Sequence, residues 1–555
     1  MRRLLFLLFL ARVVSADAAS SIDEYFTRLA AHGFSGAVLV ARGEDVLLRK
    51  GYGLADKKRG IVNRSDTAFN IASLDKQFIA AGILRLEEMG KLRVSDPISR
   101  FFDFIPDDKK NITLHQVLTH TAGFSDEYWD EHPELTRAEF IRWVVTERKL
   151  LAPPGKEWSY ASFDYWLLEE VIERASGMPF EEFLNRELFA PTGMRFTGFA
   201  IPKWDRDNVA HTSLWTVPSS ALPGEMKFEN PLDRPAAWRV MLSTPEDLYR
   251  WYLALRAGRV LTPDSRRRLF TPVMENYAYG WYVAPTIRGT KLIHHGGGGS
   301  GVGTVVTFDW FVDEDTLVVI TNNSIMSGFG ADFIIADVEA MLFSGAAMMP
   351  PPSIARKEPA SVGGTYRLPR GGTFDVVQTT GPLVAVSRDA EAISALLLGG
   401  TDAGSLSQDT LARDVLLAAS RGEFAAFDAV SADDHQWIAS VFERAKMHGA
   451  LQDITTMHYR SFIRDGVPEL QSFVKLRFEK RDLYLRVMHH ASGKVQIDRL
   501  SPPEGIEAAL APSPQGGYTT WEPRLGSSVR VDFAEKSVRL QGSAGTVIAS
   551  RVAKP

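Results

Sequence analysis

Apolar and polar positions alternate along residues 34–52 (FSGAVLVARGEDVLLRKGY), with a break at Gly43-Glu44-Asp45. A period of two puts alternate side chains on one face of a strand, and Gly at the break supplies a turn, so the stretch predicts a β-hairpin. Over residues 76–89 the period becomes that of a helix, which Gly90 ends. From about 113 to 260 the pattern is mostly helical with loops, clearest at 157–176 and 244–255. The second of these opens with Ser243-Thr244-Pro245-Glu246, a capping hydroxyl followed by Pro in the first turn. Strand-like runs return at 279–283, 304–308 and 316–321. Helices therefore interrupt a sheet whose strands come from both ends of the region.

The texture changes after Met348-Met349-Pro350-Pro351-Pro352-Ser353, which reads as a linker within 347–362. Residues 364–388 and 518–551 look like short strands with Gly turns, 409–450 like helices, and 469–500 like long alternating strands. Periodicity leaves two arrangements open for 363–555: a β unit carrying an inserted α+β segment near 402–500, or two small domains. A length of 555 residues fits two or three domains, and the sequence contains no internal repeat.

The N-terminus, MRRLLFLLFLARVVSADA, has another design. Arg2 and Arg3 precede an apolar run, and Val14-Ser15-Ala16 is a small-residue cleavage site, so residues 1–16 are expected to be a signal peptide. An uncleaved anchor is the alternative; the run is short for a span and Arg12 interrupts it. Cleavage would remove three Arg and no acid, taking the formal charge from −5 to −8. The expected location is periplasmic or secreted. Composition adds two exclusions. No basic excess suggests nucleic acid. With no Cys in the chain, disulfides, a thiol nucleophile and Cys-ligated zinc are all excluded. An exported chain of this kind must rely on core size.

The candidate chemistry begins at residues 70–80, NIASLDKQFIA, where Ser73 and Lys76 stand three apart at a helix start. On a helix these positions are neighbours, so Lys76 can reach the Ser73 hydroxyl. A hydroxyl is a weak nucleophile until a base takes its proton, and the helix dipole at this end favours the developing alkoxide. The motif alone says little, since average composition gives on the order of two chance matches in a chain this long. The second match, Ser472-Phe473-Val474-Lys475, lies in the strand pattern LQSFVKLRF. Residues three apart on a strand face opposite ways, so that pair is discarded.

Further along, PGKEWSYASFDYW carries Tyr160 and Ser162, and KLIHHGGGGSGV carries His295-Gly296-Gly297 after a short strand. With LTHTAGF at 118–124, this ordered set resembles the serine β-lactamase-like hydrolases: class C β-lactamases, D-alanyl-D-alanine carboxypeptidases, D-amino-acid amidohydrolases and related esterases. Their pattern is S-x-x-K, Y-x-N, and K-T-G or H-x-G, and the likeness covers roughly residues 20–345. It implies an α+β fold: an antiparallel sheet flanked by helices with an inserted, mostly helical subdomain, in a hydrolase domain at 17–346. It implies that Ser73 becomes acylated, that Lys76 and Tyr160 share the proton traffic, and that His295 completes the polar network beside Tyr160 or meets a substrate carboxylate. The N–H groups of Ser73 and Gly298 would form the oxyanion hole, with Ser162 and Gly297 lining the substrate site. No cofactor or metal is implied, and the partner is a small-molecule or peptide substrate, cell-wall peptide included.

One position departs from the pattern. The family's Asn is Ser162 here, and Ser is too short to reach a substrate amide in the same way, which favours an ester or another compact substrate. The alternative to an enzyme is a slow-acylating, penicillin-binding-like sensor whose C-terminal β region makes the working contact. Several other features receive ordinary readings. His120 is expected to pack and hydrogen-bond near the site. His294 competes with His295 for register, and the later Gly301-Val302 favours His295. Gly296–Gly299 lacks the G-K-[ST] of a phosphate loop. His489-His490 has no further ligand at metal spacing. Trp129 and Trp215 are cleft candidates.

Overall fold

The computed structural model describes residues 2–553 except 126–134, 213–239, 287, 299–303, 325–330, 345–346, 356–361, 380, 388, 401–415, 419–420, 422–448, 465–466, 481, 490–494, 500–505, 524–525 and 544. The expected hairpin is present as β1 (Gly36–Arg42) and β2 (Asp45–Tyr52), with Gly43 turning at φ 57°. Four later strands join it: β3 (Tyr282–Pro285), β4 (Lys291–Gly298), β5 (Val305–Phe311) and β6 (Thr316–Asn322). The order is β2-β1-β6-β5-β4-β3, and every neighbouring pair is antiparallel.

The central strands β1 and β6 are apolar nearly throughout because both faces of the sheet are covered. Val38, Val40, Val318 and Ile320 face one way. They pack on Ile22, Tyr25, Phe26 and Leu29 of α1 (Arg2–Ala31) and on Ile334 and Val338 of a later helix, Ala331–Phe343. The alternate residues Leu39, Ala41, Leu317 and Val319 face the larger core, which includes α2 (Lys76–Glu88), α3 (Ser162–Ser176) and α4 (Pro245–Arg256). A strand period of two thus feeds two separate cores. Phe78 of α2 meets Phe189 and Trp251 edge-on, with ring centroids 5.1 and 5.0 Å apart. Such pairs add about 0.5–1.5 kcal/mol each beyond their buried area and anchor the helix that carries Lys76. No helix among the described residues is long and apolar enough to cross a membrane.

Two boundaries differ from the expected ones. The helix expected over 157–176 begins at Ser162, because residues 159–161 are held extended against another loop: Ser159 N–H donates to His120 O, and Ala161 N stands 3.3 Å from His120 Nδ1. The strand expected at 279–283 is displaced to Tyr282–Pro285. Gly280 instead turns at φ 73°, packed against the backbone of Lys76.

After residue 363, eight strands close into an antiparallel barrel: Gly364–Arg367, Thr373–Gln378, Leu383–Ser387, Ile506–Pro512, Tyr518–Glu522, Ser527–Phe533, Ser537–Gly542 and Gly545–Arg551. Closure is made where Tyr366 pairs with Arg551. The third and fourth strands pair directly, Leu383 opposite Leu510, although 118 residues separate Ser387 from Ile506. The barrel strands thus come from both sides of the intervening segment. That segment contributes the apolar helix Ala390–Leu398, whose Ile393 and Leu396 share a core with Phe374, Leu383, Val529 and Leu540 of the barrel. It also contributes a four-stranded sheet, Leu451–Arg464, Val467–Phe478, Asp482–His489 and Val495–Arg499. Nearly all of the helical region expected at 409–450 lies outside the described residues.

Candidate active site

The site is built from a turn, two helix starts and a strand edge. Phe69–Asn70 pairs with Leu242–Ser243, and Ile71 N–H donates to Met241 O at 3.0 Å, so the chain reaches the turn as pinned strand. Ala72 then takes φ 43°, a left-handed conformation that costs a non-Gly residue about 1–2 kcal/mol. Asn70 Oδ1 accepts the Ala72 N–H at 2.9 Å and holds that conformation. Residues Ala72–Asp75 form a 3₁₀ turn that runs into α2 at Lys76. The expected pairing on one α-helix face is thus made on a tighter helix, in which positions i and i+3 eclipse. Lys76 Nζ donates to Ser73 Oγ at 3.0 Å, and the Lys side chain is buried.

Above Lys76 lie two tyrosine rings, Tyr160 with its centroid 5.2 Å from Nζ and Tyr165 at 5.6 Å. Tyr160 sits in the extended segment before α3, and Ser162, half-buried, is the first residue of that helix. On the other side, β4 brings in His295, which is buried, with its ring 6.4 Å from that of Tyr160. His295 Nδ1 donates to Gly296 O at 2.6 Å, which leaves Nε2 to accept from Tyr277 O–H at 3.3 Å. Burial, reinforced by the Lys76 charge, pushes the His295 pKa down to about 3. The imidazole is therefore neutral at physiological pH. His294 is half-buried and stacks on Tyr282 at 5.3 Å, so the register that gives His295 to the site is the one observed.

Gly297 shows how closely strand and turn approach. A Cβ there would stand 2.1 Å from Ile71 O and 3.1 Å from Ser73 N. Any larger residue would push the strand edge off the turn that carries Ser73. Gly298 follows at φ 119°, and a Cβ there would stand 1.9 Å from Thr304 O. Thr304 Oγ1 in turn donates to Asn70 O at 3.2 Å, tying the start of β5 to the turn. Ser73, Lys76, Tyr160, His295, Gly297 and Gly298 thus converge from three separate segments. Trp129 and Trp215 lie outside the described residues.

Other residues at the site carry no spacing signal. Tyr277 is fully buried and contacts His295, with its ring 6.3 Å from Tyr160. Only the density of Tyr in NYAYGWYV could have suggested it. Behind Lys76 lie carboxyls that a helix-surface reading misses. Burial pushes half-buried Asp75 up to about 6, opposed by Lys76. Burial pushes Glu169 up to about 8, with Arg137, its ion-pair partner, pulling the other way. His120 was legible in LTHTAGF and packs as expected: fully buried, it is bonded through Nδ1 to Asp164 Oδ2 at 2.8 Å. Among the described residues no group of His, Cys, Asp and Glu could hold a metal ion.

Comparison with known proteins bears on the same region. The family described as Beta-lactamase matches residues 22–324, which contain every candidate site residue. Penicillin-binding protein 4* of Bacillus subtilis (strain 168) is 28% identical over 312 residues, 52% of this chain and 68% of that protein. Esterase EstB of Burkholderia gladioli is 27% identical over 380 residues, 58% of this chain and 94% of that one. The octameric penicillin-binding protein homologue from Pyrococcus abyssi shares the fold, with a TM-score of 0.51 and 18% identity over 86% of this chain and 99% of that chain. That likeness extends past residue 324 into the C-terminal region.

Proposed function

The chain belongs to the β-lactamase family, and from that premise we propose that it is a serine hydrolase forming an acyl-enzyme on Ser73, with a compact, uncharged ester as its preferred substrate. The observation that carries the reading is the 3.0 Å contact of Lys76 Nζ with Ser73 Oγ beneath Tyr160. Lys76 in its neutral form takes the hydroxyl proton as Oγ attacks the carbonyl carbon. The backbone N–H groups of Ser73 and Gly298 serve the developing oxyanion, and loss of one such donor typically costs roughly 2.7–4 kcal/mol. Collapse expels the alcohol, which receives a proton through Lys76 and Tyr160. Water then attacks the acyl-enzyme and releases the acid, restoring Ser73.

Two features support an uncharged substrate. With a pKa near 3, His295 offers no positive charge for a substrate carboxylate, so a D-alanyl peptide loses one anchor. Ser162, at the first position of α3, cannot reach as far as an Asn toward an acylamido group. Residues 1–16 support an exported protein, in which the hydrolase acts in the periplasm or outside the cell.

Labelling with a fluorophosphonate tests the nucleophile: wild type should label and Ser73→Ala should not, and equal labelling would remove the assignment. A panel of p-nitrophenyl acetate, nitrocefin and a D-Ala-D-Ala peptide tests the substrate, with turnover expected on the ester. Covalent labelling by a fluorescent penicillin without turnover of any of the three would favour a penicillin-binding-like sensor instead.

A further inference from the structure

We propose that His120, together with Asp164, is the positioning residue for Tyr160, fixing where that phenol stands over Lys76. The inference rests on the reading of Ser73, Lys76 and Tyr160 as the acylation machinery. His120 lies in a different loop from Tyr160, after the short helix Leu114–Leu118, yet the polar contacts observed for it reach the Tyr160 segment from both sides. Its carbonyl accepts the Ser159 N–H at 2.9 Å, one residue before Tyr160. Its Nδ1 lies 3.3 Å from Ala161 N, one residue after. The same Nδ1 lies 2.8 Å from Asp164 Oδ2, in the first turn of α3. Between these ties the imidazole packs on the Tyr160 ring itself, with centroids 4.5 Å apart.

The site is built for this contact. His120 takes a left-handed φ of 54°, uncommon for a non-Gly residue, and strain of that kind persists where the surroundings over-determine it. Thr121 N–H bonds back to Gln116 O at 2.9 Å and holds the turn. His120 has 0% exposure and Asp164 1%. The short contact to the carboxylate assigns the imidazole proton to Nδ1. Nε2 is buried with no hydrogen-bond partner among the described residues, within a shell of Tyr165 at 5.1 Å, Tyr277 at 4.7 Å and Trp158 at 6.4 Å. Burial, with Lys76 and His295 nearby, holds the imidazole well below its ordinary pKa, so it stays neutral. A neutral ring whose bonds all run to residues around Tyr160 sets geometry rather than moving protons.

This role predicts a result that general destabilisation would not give. His120→Phe keeps a ring but loses the Nδ1 donor; His120→Asn keeps a donor near Nδ1 and tolerates the left-handed backbone. Acylation of the full chain by p-nitrophenyl acetate should slow about 10²-fold in His120→Phe, since roughly 1 Å of misplacement can cost that much. KM should change little, and His120→Asn should recover most of the rate. The decisive comparison is a cycle with Tyr160→Phe. If His120 acts through Tyr160, the double variant should be no slower than Tyr160→Phe alone. Additive losses would overturn the proposal, and so would a His120→Phe enzyme at wild-type rate. Should His120→Phe fail to fold, the same cycle is run with Asp164→Asn, for which additivity overturns the proposal equally. If Tyr160→Phe itself leaves acylation unchanged, it is the underlying reading of Tyr160 that fails, a result separate from both.

Discussion

Two Ser-x-x-Lys tetrapeptides occur in this chain, one at Ser73–Lys76 and one at Ser472–Lys475, and each sits in regular structure with its Lys buried. Lys76 and Lys475 are exposed by only 4% and 2%, so burial of the Lys does not tell the two apart. The backbone does. Ser73 and Lys76 belong to a 3₁₀ turn entering a helix, where i and i+3 eclipse and Nζ reaches Oγ at 3.0 Å. Ser472 and Lys475 lie on the strand Val467–Phe478, where Ser472 is opposite Tyr459 and Val487, and Lys475 is opposite Thr455 and Tyr484. Three residues along a strand turn the side chains to opposite faces. The first pair also has Asp75 at its third position and a strained Ala72 before it; the second has Val474 and Gln471 there. The same four-letter pattern is thus a hydrogen-bonded pair in one backbone and two polar groups on opposite faces of a strand in the other.

The comparison can be broken most directly at the two serines. Ser73→Ala should lower ester turnover by at least about 10³-fold, the scale at which removing a nucleophile acts, while Ser472→Ala leaves it unchanged. Rates on p-nitrophenyl acetate decide, and an equal loss in both variants would erase the distinction. The lysines should divide likewise: Lys76→Met costs roughly 10²–10⁴-fold in acylation, as loss of a general base does, whereas Lys475→Met affects the melting temperature alone. Stopped-flow bursts and thermal melts on the same samples separate the two outcomes.

Backbone geometry is tested next. Gly297→Ala places a Cβ where 2.1 Å separates it from Ile71 O, so strand and turn must part. Acylation should fall about 10²-fold, beyond what any loss of folded protein explains. Circular dichroism gives the folded fraction.

Smaller effects follow from protonation. His295 is neutral until pH falls to about 3, so it adds no inflection to the pH–rate profile near its ordinary value. His295→Gln should therefore lower the rate without changing the profile's shape between about pH 5 and 8; an imidazole limb that vanishes in the variant would contradict this. The smallest effect concerns Asp75. Its carboxyl is raised from 3.8 to about 6, so the folded state holds the proton more tightly than the unfolded chain. Stability associated with it is full below pH 3.8 and is lost as pH rises through about 6. Asp75→Asn should flatten that part of the stability curve in urea titrations at a series of pH values. Val474, the matching position of the second motif, has no titratable group to replace.

Much of the N-terminal region was readable because its signals are local. Period two gave β1 and β2, period 3.6 gave α2, and Thr244-Pro245 marked the start of α4, where Thr244 caps the Asp247 N–H. The site residues came from ordered motifs, and His295 rather than His294 followed from glycine spacing. The start of α3 was not readable, because Ser159 and Ala161 are held extended by His120, which stands 39 and 41 residues away in sequence. Tyr277 was missed for the same reason: a Tyr beside His295 looks like any core Tyr until the chain folds.

The sequence by itself determined the elements, the family likeness and the Ser, Lys, Tyr and His that the site would draw on, since short-range periodicity and ordered motifs encode these. Only the tertiary structure decided that the C-terminal strands close as one barrel across a 118-residue interruption, because the pairing of Leu383 with Leu510 depends on cores no local pattern records. Only it decided that His295 is neutral, since burial and the Lys76 charge set that pKa. And only it joined Lys76 to Tyr160 and Ser73 to Gly297, because contacts between segments more than 80 and more than 220 residues apart arise from packing rather than from sequence neighbours.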